Sequence, residues 1–294
     1  MGAMNALTNA EPRQRTIPLP GRGGAMAALE FGPAERPVDI IFSHANGFNG
    51  RTYASILKPL ATNLRILALD LRGHGATTLP AVIEGRQGWL EFRDDLLALL
   101  AAVADAPVVL AGHSMGGTSS LLAAAAEPAR VRALALFDPV VMATDVPREA
   151  VEQSPLVAGA MRRRAVFPSR QAVFDAYLGR GAFKTWSEAQ LADYVAAGFV
   201  ETGDGEVTLA CTPAWEASNF RTHNYDPWGA FRASRCPIRI LRAAEASTFR
   251  MEGHEAELGA DGRITVQTVP GTTHFLPMER PDLVRETLLA AVAL

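Results

Sequence analysis

The stretch that most constrains the fold of this chain is residues 108–117, where four apolar residues lead into Gly-His-Ser-Met-Gly-Gly. The small residues of 118–126 follow it and are typical of a helix. A tight turn between a strand and a helix holds a serine in a strained conformation with its hydroxyl exposed. In such a turn Gly112 and Gly116 come close together, where a Cβ would clash. We therefore predict that Ser114 is a nucleophile, and not part of an ordinary glycine-rich connection.

Short apolar strands alternate with helices on both sides of this stretch. The clearest helix is 88–104, where large apolar residues recur every three or four positions. Such alternation is typical of a mostly parallel sheet with helices on both faces. Strands are predicted at 15–19, 25–31, 38–43, 64–69, 108–111, 131–137, 238–241 and 264–269, and helices at 53–60, 88–104, 118–126 and 281–293, with a weaker helix at 252–258.

The alternation stops between residues 141 and 231. This region contains helical runs at 148–165, 171–178 and 187–199, punctuated by proline and glycine, and no strand of comparable quality. We therefore predict an α/β core formed by 1–140 and 232–294, with 141–231 inserted as a helical cap.

Composition excludes several classes of protein. The net charge of −3 gives no basic face for nucleic acid or an anionic membrane. No uninterrupted apolar run is long enough to span a bilayer, and residues 1–15 lack the apolar core of a signal peptide, so we interpret them as a cloning remnant and a loose tail. The two cysteines, Cys211 and Cys236, form no framework, which favours a reducing, cytoplasmic compartment.

Four segments, in the same order along the chain, resemble those of the α/β-hydrolase family. They are residues 43–48, 70–75, 112–117 and 270–281. The resemblance covers 25–140 and 235–294, and the insertion is similar to the family's cap only by position. It implies a serine hydrolase that needs neither a cofactor nor a metal. The 70–75 segment is expected to be structural, its charged pair tying a loop beside the pocket.

The chemistry of a serine nucleophile requires a base and two oxyanion donors. The family's base comes late in the chain, which implies His274. Met115 follows Ser114 at the helix start and supplies one backbone N–H. The other is expected from Asn46, at the family's His-Gly-x position; its side-chain amide is a second possible donor, and a mere turn-forming role is the alternative. The remaining histidines are expected to be structural or solvated: His44, His74, His113, His223 and His254.

The acid that orients the base departs from the family pattern. In most relatives an aspartate follows the strand that corresponds to 238–241, but here the slot falls near Ala246 or Ser247. Asp138, at the end of the strand after the serine helix, is the favoured substitute. Glu245, one residue from the usual slot, is the alternative, and an imidazole oriented by backbone alone is a third.

A cap over the carboxyl ends of parallel strands creates a crevice for a small-molecule substrate. Three consecutive arginines at 162–164 are interpreted as a solvated helix face, with anion recognition as the alternative. We expect cleavage of a small apolar carboxylic ester through an acyl-serine. The same groups acting on a C–C or amide bond or as an acyltransferase, or a small-molecule receptor, are alternatives; the oligomeric state is left open. Aromatic residues that could line the crevice are Phe48, Tyr53, Trp186, Trp215, Phe220, Trp228 and Phe275.

Overall fold

The computed structural model describes residues 11–86, 88–142, 152–222, 225–260 and 262–294. Its strands are β1 Arg13–Leu19, β2 Gly24–Phe31, β3 Ile40–Ser43, β4 Ile66–Asp70, β5 Val108–His113, β6 Val131–Phe137, β7 Val166–Phe167, β8 Phe199–Glu201, β9 Val207–Leu209, β10 Ile238–Ala243 and β11 Ile264–Val269. Its α-helices are α1 Ala54–Leu57, α2 Leu90–Val103, α3 Met115–Ala126, α4 Pro155–Met161, α5 Arg170–Tyr177, α6 Glu188–Gly198, α7 Pro213–Arg221, α8 Pro227–Ala233, α9 Glu255–Gly259, α10 Leu276–Glu279 and α11 Pro281–Val292.

Eight strands form one sheet in the order β1-β2-β4-β3-β5-β6-β10-β11. β2 pairs antiparallel with both of its neighbours, and every other pair from β4 to β11 is parallel. Every residue of β3 and β5 is buried, as expected for central strands covered on both faces. The predicted fold class, a mostly parallel sheet with helices on both faces, is confirmed.

The alternating side chains of β5 divide the core into two apolar layers. Val108 and Leu110 face one layer, while Val109 and Ala111 face the other. Helices α2 and α3 cover the first layer, for example with Leu96 and Leu121, and α1 and α11 cover the second. Because strands β5, β6, β10 and β11 are parallel, their carboxyl ends reach the same edge of the sheet.

The region between β6 and β10 contains more than the predicted helices. α4 to α7 are accompanied by a three-stranded antiparallel sheet in the order β7-β9-β8. The sequence predicted no strand here comparable to those of the core, and the three observed strands are only two or three residues long, too short for an alternating pattern to be detected. Residues 148–151 of the helix predicted at 148–165 lie outside the described residues. Of the described remainder, Glu152 and α4 are helical, and β7 follows at Val166. The boundary between core and cap stays a prediction.

Chain segments 11–86, 88–142, 152–222, 225–260 and 262–294 contain no helix whose length and apolar character would let it cross a bilayer.

Candidate active site

Ser114 lies in a sharp turn between β5 and α3. Its backbone has φ 54° and ψ −123°, a conformation that a residue with a side chain rarely adopts. A Cβ on Gly112 would lie 2.5 Å from the carbonyl carbon of Gly116, and a Cβ on Gly116 would lie 2.2 Å from the carbonyl oxygen of Ser43. Both contacts are with backbone that cannot rotate away, so the close approach predicted for the two glycines is confirmed.

His274 joins the serine to an aspartate through two hydrogen bonds. Its Nε2 lies 3.0 Å from Ser114 Oγ, although the two residues are 160 positions apart. Its Nδ1 lies 2.7 Å from Asp138 Oδ2. The three side chains therefore form one continuous chain of hydrogen bonds at the carboxyl edge of the sheet.

The Asp138 carboxylate is buried within a set of hydrogen-bond donors. Oδ1 accepts from Ala243 N–H at 2.9 Å and from Ser247 Oγ–H at 2.5 Å, while Oδ2 accepts from Thr248 N–H at 3.0 Å as well as from His274. Burial alone would raise the pKa of this carboxyl, but the hydrogen bonds and charge of His274, with those from Ser247 and Ala243, lower it to about 2. Asp138 is therefore an anion at neutral pH.

Glu245, the alternative acid, is exposed in the loop after β10. Its backbone N–H donates to the carbonyl of Thr272, and it is Asp138 that lies against the imidazole. Ser247, one of the two residues near which an acid was expected from the family pattern, donates a hydrogen bond to Asp138. Sequence reasoning missed this contact; two consecutive hydroxyl residues, Ser247 and Thr248, where an acid was expected were the available signal.

The side chain of Asn46 is bound to helix α7. Its Nδ2 donates to the carbonyl of Glu216 at 3.0 Å, and its Oδ1 accepts from Asn219 Nδ2 at 2.7 Å. The side-chain amide is thus engaged by α7. Within the described parts of the chain, no protein acceptor receives the backbone N–H of Asn46 or of Met115.

Buried histidines hold the neighbouring loops. His44 Nε2 accepts from the N–H of Leu71 at 2.9 Å, and His74 Nε2 accepts from the N–H of Gly47 at 3.0 Å. Burial lowers the pKa of both rings, that of His74 to about 4. His113 points away from the serine hydroxyl and bonds to Tyr53 and to the carbonyl of His274.

Two other histidines were expected to be solvated. His254 is partly exposed and stacks on Trp228, with ring centroids 3.8 Å apart. His223 lies outside the described residues.

The two charged residues of the 70–75 segment each bind a different neighbouring segment, and not each other. Asp70 accepts hydrogen bonds from the N–H groups of Gly50 and Ala76, while Arg72 forms an ion pair with Asp95 of α2. Burial raises the pKa of Asp70 to about 6.

Among the aromatic candidates, three rings form a group beside His274. The centroid of Phe48 lies 5.2 Å from that of Trp186 and 6.3 Å from that of Phe275, which in turn lies 5.9 Å from the imidazole of His274. Tyr53 and Trp215 are fully buried core residues.

The remaining aromatic candidates lie elsewhere. Phe220, on α7, packs against Val157 and Ala160 of α4, and Trp228 packs on His254.

The three consecutive arginines do not form one solvated face. Arg162 and Arg164 are exposed, but Arg163 forms an ion pair with Glu216 at 2.5 Å and donates to the hydroxyl of Tyr194 at 2.7 Å.

Comparisons with known proteins agree with this fold. The chain is 24% identical over 244 residues to 2-(acetamidomethylene)succinate hydrolase of Mesorhizobium japonicum, covering 83% of this chain and 84% of that protein. It is 35% identical over 99 residues to pimeloyl-[acyl-carrier protein] methyl ester esterase of Chromobacterium violaceum, covering 33% and 35% of the two chains. The crystal structure of E-2-(acetamidomethylene)succinate hydrolase superposes with a TM-score of 0.80 at 21% identity, covering 97% of this chain and 100% of that one. A sequence profile described as the alpha/beta hydrolase family matches residues 40–287. The chain therefore belongs to the alpha/beta hydrolase family and is a hydrolase.

Proposed function

We propose that this hydrolase cleaves small apolar carboxylic esters through a covalent acyl-serine intermediate. The roles are Ser114 as nucleophile, His274 as general base and acid, and Asp138 as the group that orients the imidazole. The observation that carries the proposal is the unbroken series of hydrogen bonds from Asp138 through His274 to Ser114. A serine hydroxyl bonded to an imidazole that is held by a buried carboxylate is the arrangement that activates serine for acyl transfer.

The direction of these hydrogen bonds determines the proton positions. An ionised Asp138 can only accept, so Nδ1 of His274 carries the hydrogen and Nε2 presents its lone pair to the serine hydroxyl. As Oγ attacks the ester carbonyl, its proton passes to Nε2, and Asp138 stabilises the resulting imidazolium. The imidazolium then protonates the departing alkoxide as the C–O bond breaks. Water repeats the sequence on the acyl-serine and releases the acid with Ser114 restored.

The negative charge of the tetrahedral intermediate requires two donors. The N–H of Met115, at the positive end of the helix α3 dipole, is proposed as one, and the N–H of Asn46 as the other. Both groups lack a protein acceptor in the described ranges, and the attachment of the Asn46 side chain to α7 supports the backbone N–H as the donating group.

An apolar substrate is favoured by the apolar cluster next to His274, in which the rings of Phe48 and Trp186 are buried and that of Phe275 is partly exposed. An alkyl or aryl group of the ester that covers the exposed part of this cluster gains roughly 25 cal/mol per Å² of apolar area removed from water. Relatives whose names describe esterases are consistent with this chemistry, although the similarity to them is partial.

A fluorophosphonate probe, which forms a stable bond only to an activated serine, tests the proposal. We expect labelling at Ser114 and hydrolysis of p-nitrophenyl esters, with both lost in Ser114→Ala. Ser119→Ala is the matched control because Ser119 lies one helical turn away, buried, with its hydroxyl bonded to the carbonyl of Met115. Labelling that survives in Ser114→Ala would contradict the proposal, and binding of esters without turnover would favour the receptor alternative.

A further inference from the structure

Two buried polar side chains, Tyr53 and His113, connect the loop of Asn46 to the turn of His274. The Tyr53 hydroxyl lies 2.8 Å from His113 Nδ1, and His113 Nε2 lies 2.7 Å from the carbonyl oxygen of His274. At the other end, the N–H of Ala45 donates to the Tyr53 oxygen at 3.2 Å. Both side chains are completely inaccessible to solvent.

The chemistry of the four groups allows only one direction for these hydrogen bonds. The carbonyl of His274 can only accept, so the hydrogen of His113 lies on Nε2. Burial, and next the neighbouring His274, lower the pKa of His113 to about 3, so its ring is neutral and Nδ1 is an acceptor. The hydroxyl of Tyr53 must therefore donate to Nδ1, which leaves its oxygen free to accept from Ala45. Burial also raises the pKa of Tyr53, which keeps that hydroxyl protonated.

We propose that this series of hydrogen bonds, from Ala45 through Tyr53 and His113 to His274, positions the two halves of the active site relative to each other. Ala45 directly precedes Asn46, the proposed oxyanion donor, and the last acceptor is the carbonyl of the proposed base itself. The series thus sets the separation between the Asn46 N–H and the His274 imidazole. Tyr53 and His113 are positioning residues, since neither touches Ser114 Oγ. The inference rests on the proposed function.

The hydroxyl of Tyr53 has a role that its ring does not share. The ring packs against Phe42 with centroids 4.6 Å apart, a contact that a phenylalanine would keep. Loss of the hydroxyl would leave the Ala45 N–H and His113 Nδ1 buried without hydrogen-bond partners. Because this is costly, the Asn46 loop and the His274 turn would shift to find other partners. Small displacements of catalytic groups reduce rate steeply, because the transition state needs exact alignment.

The kinetic test compares Tyr53→Phe, His113→Gln and the double variant. We expect Tyr53→Phe to lower kcat on p-nitrophenyl butyrate about 10-fold or more while KM changes less than about 2-fold. His113→Gln keeps an NH₂ donor for the His274 carbonyl, but no ring fixes its amide oxygen at the position of Nδ1, so the hydrogen bond from Tyr53 is weakened and kcat should fall to a similar extent. Because the series is one unit, the double variant should be no slower than the worse single variant. Multiplicative losses would overturn the proposal.

Tyr225→Phe is the matched control. It removes another buried tyrosine hydroxyl, 3.3 Å from the carbonyl of Val140, and that carbonyl retains the hydrogen bond from Thr118 Oγ1. We expect kcat of Tyr225→Phe to stay within about 2-fold of the original chain. If Tyr53→Phe and Tyr225→Phe had equal kcat and Ser114 were still labelled, the positioning role of this series of hydrogen bonds would be overturned. The proposed function would be unaffected.

A second measurement is independent of turnover. In ¹⁵N NMR of the full chain and of Ser114→Ala at pH 7, His113 should be neutral with its hydrogen on Nε2. Tyr53→Phe should shift the Nδ1 resonance, because that nitrogen loses its hydrogen-bond donor. A hydrogen on Nδ1, or a charged His113 ring, would overturn the proposal even if the enzyme proved inactive on every ester.

Discussion

At the scale of single residues, backbone strain is concentrated at the candidate active site. In the part of the chain that the structure describes, the non-glycine residues with positive φ are Ser114 at 54°, Asp138 at 43° and Ala246 at 50°. Ser114 and Asp138 belong to the hydrogen-bonded chain, and Ala246 precedes Ser247, which donates to Asp138. Each such residue costs on the order of 1–3 kcal/mol, so the surrounding structure must hold all three in place.

The role of Asp138 is a prediction at this scale. Asp138→Asn would replace an anion by a neutral amide. If its NH₂ faces His274, it can only donate to Nδ1, which favours the imidazole tautomer with its hydrogen on Nε2, where the proton of Ser114 must be accepted. We expect kcat on p-nitrophenyl esters to fall by roughly 10⁴-fold. The same Asp→Asn change lowers kcat by about this factor in serine proteases, because the imidazole then has the wrong tautomer. Glu245→Gln, in the exposed loop, should change kcat by less than about 2-fold. The opposite pattern would transfer the orienting role to Glu245.

At the scale of elements, close packing of helix α3 against the loop after β3 places Ser114. The helix approaches the backbone of Ser43 and His44 so closely that only a glycine fits at position 116. The same region holds the Asn46 loop, which is in turn bonded to α7. Strand β5, helix α3 and helix α7 therefore meet around one loop, and a displacement of any of them would move a proposed oxyanion donor.

Substitution of glycines tests this packing. Gly116→Ala places a Cβ 2.2 Å from the Ser43 carbonyl oxygen, so we expect a loss of about 3 kcal/mol or more in the free energy of unfolding, or failure to fold. Gly159→Ala in α4 meets no atom within 4 Å and should raise that free energy by up to about 1 kcal/mol, because alanine favours a helix. Denaturant titrations of both variants measure the difference. A neutral Gly116→Ala would contradict the packing argument.

At the scale of the whole molecule, the buried ionisable groups around the site couple stability to pH. His44, His74 and His113 are buried, and burial lowers the pKa of all three. In the unfolded chain a histidine has a pKa of about 6.5, so below that pH the unfolded state binds more protons at these three residues than the folded state does. Asp70 acts in the opposite sense, since burial raises its pKa to about 6 and the folded state takes up its proton first.

We therefore expect acid to destabilise the fold well above the range in which carboxylates are protonated. The three histidines contribute their full stabilisation above about pH 6.5, and it is lost as the pH falls toward 4. Protonation of Asp70 in the folded state acts in the opposite direction and offsets roughly the contribution of one histidine. Between pH 7 and 5 the free energy of unfolding should fall by on the order of 4 kcal/mol. Urea titrations at several pH values measure this dependence, and His74→Gln should reduce the fall in the free energy of unfolding by nearly half, because one histidine accounts for about 2 of the roughly 4 kcal/mol that remain after the offset by Asp70. A slope near zero would contradict the argument.

Much of the fold follows from short-range patterns. The strand ranges 131–137 and 264–269 match the structure, and α2 lies within the predicted 88–104. Period-two and period-3.6 patterns record which face of an element is buried, so they can be detected in one chain. The glycines around Ser114 are equally local, because their role depends on sterics within a few residues.

The interior of the site depends on contacts that no local pattern records. The sequence by itself determined the parallel sheet, the turn of Ser114 and a histidine after β11 as its partner. It left the group that orients the imidazole open between Asp138, Glu245 and backbone alone, and it missed the hydrogen bond of Ser247, the attachment of Asn46 to α7 and the small sheet β7-β9-β8. Only the tertiary structure decided which of these groups are in contact, because strand order places β6 beside β10 and brings Thr248 to Asp138 from 110 positions away. Hydrogen bonds over such separations depend on how strands are ordered in space, which side-chain periodicity does not encode.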